Sequence, residues 1–62
     1  MRHSVIVSGE ECYVSIAQSS KALWVASGMI EGKRLSVESG SASAALRHWV
    51  AAARERRAQD RP

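Results

Sequence analysis

Between Ser4 and Glu38 apolar and polar residues alternate at period two, and from Ala42 onward apolar residues recur at three-then-four spacing. The first pattern predicts strands buried on one face, and the second predicts an amphipathic helix. Turn signals divide the alternating stretch into strands over 4–8, 11–17, 22–29 and 33–38, followed by a helix over 42–57. The expected fold class is α+β: an antiparallel three- to four-stranded β-meander packed on one face by a single C-terminal α-helix.

Turn chemistry sets the expected register. Gly9-Glu10 reads as a type II′ hairpin pair, since Gly takes the positive φ cheaply, and it places Val7 opposite Cys12 and Val5 opposite Val14. A second turn at Ser19-Ser20 places Ile16 opposite Leu23 and Val14 opposite Val25. A two-residue third turn at Glu31-Gly32 would set Glu38 opposite an inward Val25, so the expected connection is a three-residue loop, Ile30-Glu31-Gly32, with Val37 opposite Val25. The resulting core face is Val5, Val7, Cys12, Val14, Ile16, Leu23, Val25, Leu35 and Val37. Onto it should land the helix stripe of Ala42, Ala45, Leu46, Trp49, Val50 and Ala53, with Ser41 as the first choice of N-cap and Ser43 as the second.

The other face of that sheet carries Ile6, Tyr13, Ser15, Trp24, Ala26, Arg34, Ser36 and Glu38, and a chain with one helix cannot cover it. Tyr13, Trp24 and Arg34 are therefore the candidate contact surface, because aromatics are enriched where partners dock and also serve as stacking platforms for unpaired bases. A cross-strand aromatic pair that only supports the sheet is the plainer account of Tyr13 and Trp24.

Sixty-two residues make a single domain, 1–62. At this length folding buries only about 60% of the surface of the unfolded chain, so a partner or a dimer would help. One cysteine, Cys12, rules out an internal disulfide, and with His3 and His48 it falls short of the usual four zinc ligands. No metal and no cofactor is expected. Absence of a long apolar run or a signal-peptide pattern, together with the lone cysteine, leads to the expectation of a cytoplasmic protein with no membrane partner.

The formal charge of +3 is unevenly placed. Residues 1–53 hold Arg2, Lys21, Lys33, Arg34 and Arg47 against Glu10, Glu11, Glu31 and Glu38, whereas 54–62 reads as a basic, partly frayed helix end. Arg47, Arg54 and Arg61 repeat every seven residues, and packing should stop near Arg56 and Arg57, leaving the last turn in solvent. Lys33, Arg54, Arg56 and Arg57 are the candidate contacts to phosphates or an acidic partner; alternatively, the helix arginines simply complement the macrodipole.

No pair of carboxylates and no Ser-His arrangement can be assembled, and Cys12 is placed inward, so catalysis is not expected. The layout is similar to that of the sheet-based DNA-binding domains of plant transcription factors and phage integrase N-termini, and less so to double-stranded-RNA-binding domains, which carry an extra leading helix. A DNA-reading sheet presents several basic side chains where this outer face offers Arg34 alone. The expected function is a non-catalytic binding module, docking a protein partner or a second copy through the open sheet face. The alternative is a nucleic-acid-binding module using the sheet aromatics and the basic helix end.

Overall fold

The computed structural model describes residues 2–59. Four antiparallel strands, β1 (Arg2–Val7), β2 (Glu10–Ser20), β3 (Leu23–Ile30) and β4 (Lys33–Ser39), form one sheet in the order β1-β2-β3-β4. One helix, α1 (Ala42–Gln59), follows and packs on it, lying chiefly over β3 and β4. The fold class is the expected ββββα arrangement. Arg61 and the rest of the basic tail from Asp60 lie outside the described residues.

The outer hairpin turns differ from the expected ones, the first in position and the other in length. β1 and β2 meet through Ser8-Gly9, not Gly9-Glu10, with φ of 51° and 83°, and β3 and β4 through Glu31-Gly32, with φ of 54° and 74°. Two successive positive φ values are the type I′ geometry, whose twist matches that of the strands it joins. Gly at the second position relieves the strain, while Ser8 and Glu31 tolerate the first. In the first hairpin this moves the pairing to Val7↔Glu10 and Val5↔Cys12, a shift of two that leaves every inward residue inward.

The middle hairpin differs more. β2 does not turn at Ser19-Ser20 but runs on to Ser20, and the chain reverses at Lys21-Ala22 with a register break between Gln18 and Ser20. Ile16 pairs with Ala26 and Val14 with Gly28. The net shift is odd, so β3 presents its opposite face. Ala26 and Ile30 are buried and Trp24 packs against the core, while Leu23 and Val25 turn away from it. The Glu31-Gly32 turn does set Glu38 opposite Val25. It costs nothing, because Val25 is on the outer face, and the three-residue loop is not needed.

The core consists of Val7, Cys12, Val14, Ile16, Ala26 and Ile30 from the sheet and Ala45, Trp49 and Ala53 from the helix. Val5, Leu35, Val37, Ala42, Leu46 and Val50 border it, as their alternation and helical spacing predict. Among the described residues no polar or charged side chain is buried. On the helix, small Ala45 and Ala53 flank Trp49 on the buried stripe, and the Trp49 indole lies against Gly28 and donates from Nε1 to the Leu35 carbonyl at 2.8 Å. Ser41 caps the helix, its Oγ accepting from the Ala44 N–H at 3.2 Å and its carbonyl from the Ala45 N–H at 2.9 Å.

Contact between the helix and the sheet extends as far as Arg57. Arg57, in the last basic turn, donates to the Glu10 carboxylate and lies 3.5 Å from that of Glu31, so one guanidinium ties the helix to the tips of both outer hairpins. The Glu10 bond outweighs partial desolvation and, with the nearby negative charges, raises the guanidinium pKa above its ordinary value. Arg57→Ala should lower the thermal midpoint by a few degrees at low salt and leave it nearly unchanged at about 1 M salt, where the Debye length is about 3 Å. Melts followed by circular dichroism at both ionic strengths test this, and an equal loss in both would mean that Arg57 acts by packing.

Candidate interaction surface

Inversion of β3 redistributes the candidate contact residues. Tyr13 and Arg34 lie on the outer face as expected, but Trp24 does not: it is on the helix side, half-buried against the core, with Gln18 and Ser39 as its strand neighbours. Met29, which the sequence reading did not single out, takes its place. The outer face leaves Ile6 60%, Tyr13 62% and Met29 56% exposed, the large apolar side chains most open to solvent among the described residues.

The rows of this face follow from the pairing. Across the middle run Arg2, Ser15, Ser27 and Ser36, each opposite the next on consecutive strands. On one side are Tyr13, opposite Ser4, and Met29, opposite Arg34. On the other side are Ala17, Val25 and Glu38, again opposite one another. Small serines beside the bulkier Tyr13, Met29 and Arg34 row leave a hollow of about 560 Å³, whose lining includes Arg2, Tyr13, Ser15, Ser27, Met29 and Arg34. A volume of this order is typical of ligand and side-chain recognition sites.

Two guanidiniums border the hollow, and neither Arg2 nor Arg34 forms an ion pair with another described residue. Glu11, also in the lining, accepts a hydrogen bond from the Tyr13 hydroxyl at 3.1 Å. That bond holds the Tyr13 phenol above its usual pKa, so it is neutral and a donor throughout the physiological range. With Glu38 one row away, the face carries two arginines and two glutamates and is balanced in charge.

The basic candidates are scattered. Lys33 is exposed where β4 begins, beside the hairpin tip. Arg54 is exposed on the helix and borders a separate small depression with Ser8, Arg57 and Ala58, whereas Arg56 is half-buried. Arg57 is engaged by Glu10 and Glu31. These side chains do not join Tyr13 and Arg34 on one surface.

Cys12 is 3% exposed on the core face, and burial, followed by the Glu10 carboxylate, pushes its thiol pKa up, which suits a packing group and not a nucleophile. Among the described residues no cluster of three or more His, Cys, Asp or Glu side chains is placed to hold a metal ion, and no helix is long and apolar enough to cross a membrane. No family model matches the chain, and no significant match to it was found among curated proteins or among solved structures.

Proposed function

We propose that this chain is a small non-catalytic binding module that docks a protein partner, or a second copy of itself, on the outer face of its sheet. The observation that carries this reading is the exposure of Ile6, Tyr13 and Met29 together on the face opposite the chain's only described helix. Aromatic residues, Met and Arg are the side chains enriched at protein interfaces, and Tyr13, Met29 and Arg34 are grouped here around one hollow. No histidine lines that hollow to activate its serines, which supports binding over catalysis. The single cysteine supports a reducing, cytoplasmic setting.

A nucleic-acid reading draws support from Arg2, which joins Arg34 and Tyr13 on the outer face. It loses Trp24 to the helix side and Arg57 to its ion pairs, and Glu11 and Glu38 offset the two arginines. Protein docking is therefore preferred. A Tyr13→Lys, Met29→Lys double variant should keep its fold, since both side chains are more than half exposed. Capture from cell extract with and without nuclease, together with sedimentation, should show nuclease-resistant protein association for the parent chain and its loss in the variant. Identical behaviour of the two chains would overturn the reading, and capture abolished by nuclease would favour nucleic acid.

A further inference from the structure

We infer that the occupant of the outer face is a second copy of this chain, packed sheet to sheet about a two-fold axis that runs across the strands along the Ser15, Ser27 and Ser36 row. This inference rests on the docking reading above and gives it a partner. Its basis is the way the face is divided by that row. Rotation about the row carries each outer residue onto the position two along the same strand on the far side. Tyr13 then faces Ala17 of the second copy, Met29 faces Val25, and Arg34 faces Glu38, while on the axis serines meet serines and, at the end of the row on edge strand β1, Arg2 meets Arg2.

The three encounters off the axis are complementary, and the two Arg2 side chains, exposed at the sheet edge, have room to turn apart into solvent. The largest side chain on β2 meets one of the smallest, a flexible Met meets a compact Val on β3, and on β4 an arginine without an ion pair among the described residues meets a carboxylate. Serines along the axis keep the central row low, so the sheets can approach to the roughly 10 Å of face-to-face packing. The symmetry repeats every contact, including two Arg34–Glu38 pairs per dimer. A nucleic acid could use the arginines of this face but would be repelled by Glu38 and Glu11; a second copy uses both signs.

Charge reversal across the axis tests the pairing. Sedimentation equilibrium of the parent chain should report twice the 6.7 kDa chain mass. Arg34→Glu alone and Glu38→Arg alone each place two like-charged pairs in the dimer and should weaken it at least tenfold. An equimolar mixture of the two variants restores both attractive pairs and should recover a dimer of parental affinity, as should the single chain carrying both changes. Both positions are exposed, so the variants should fold, and circular dichroism verifies this. If the parent is a monomer at the highest attainable concentration, the second copy is excluded while the outer face is still judged by the Tyr13→Lys, Met29→Lys variant. If it dimerises without recovery in the mixture, and Tyr13→Lys breaks the dimer, the axis is wrong. If Tyr13→Lys leaves that dimer intact, both the axis and the use of this face are wrong.

Discussion

Trp49→Ala is expected to remove most or all of the folding stability. Trp49 is the largest fully buried side chain, with no exposed surface, and it bridges the helix to both β3 and β4. Truncating a buried tryptophan to alanine costs about 3–5 kcal/mol through lost transfer energy and the cavity left behind. A domain of this length has roughly 3–9 kcal/mol in total, at about 0.05–0.15 kcal/mol per residue. Ala45, Ala53, Ala26 and Gly28, which share this core, are too small to fill the space. Urea or thermal unfolding followed by near-ultraviolet circular dichroism measures the effect. A cooperative transition within a few degrees of the parent would show that the indole is not the anchor of the core. Trp49→Phe separates the parts, since it keeps most of the apolar volume and removes the hydrogen bond to Leu35, and it should cost distinctly less.

Gly28→Ala is expected to cost about 3 kcal/mol, at the upper end of the usual range for overpacking. A Cβ at this position would lie 2.6 Å from the Tyr13 carbonyl oxygen and 2.9 Å from Cζ2 of Trp49. One obstacle is backbone of the paired strand and the other is a ring fixed by its own hydrogen bond, so neither yields cheaply. The same substitution at an ordinary strand position stabilises, because Gly is the more flexible residue in the unfolded chain. The sign therefore discriminates: an unchanged or raised unfolding midpoint for Gly28→Ala would mean that the indole does not rest on this glycine. Combining Gly28→Ala with Trp49→Phe should recover part of the loss, because the two residues are in contact and their effects do not add.

Most of the architecture is legible in the sequence because two periodicities dominate it. Alternation in β1, β2 and β4 places Val5, Val7, Cys12, Val14, Ile16, Leu35 and Val37 on the helix side, and the helical stripe identifies Trp49 and its cap Ser41. β3 was the exception. Leu23 and Val25 outweigh Ala26 and Gly28, yet the face of the smaller pair is inward, with Trp24 and Ile30 supplying bulk at its ends and Ala26 and Gly28 leaving room for Trp49 between them. Volume complementarity across the two layers was the available signal, and alternation within one strand does not contain it. The error passed directly to the surface reading. With β3 inverted, Trp24 exchanged places with Met29, while Tyr13 and Arg34, on correctly oriented strands, remained where the sequence put them. The Arg57 link to Glu10 and Glu31 was not readable at all, since it joins residues that no local pattern relates.

The strand order β1-β2-β3-β4 has a consequence for how the chain reaches this state. Every strand pairs only with its neighbour in sequence, so each ladder can zip outward from its own turn, and closing such short loops loses little chain entropy. Hairpins of this kind form in about 1–10 μs. The sheet alone cannot hold, because its inner face remains wet until α1 arrives from the far end of the chain. Helix docking therefore closes the longest loops and buries Trp49 in the same event, which couples local zipping to one late, cooperative condensation.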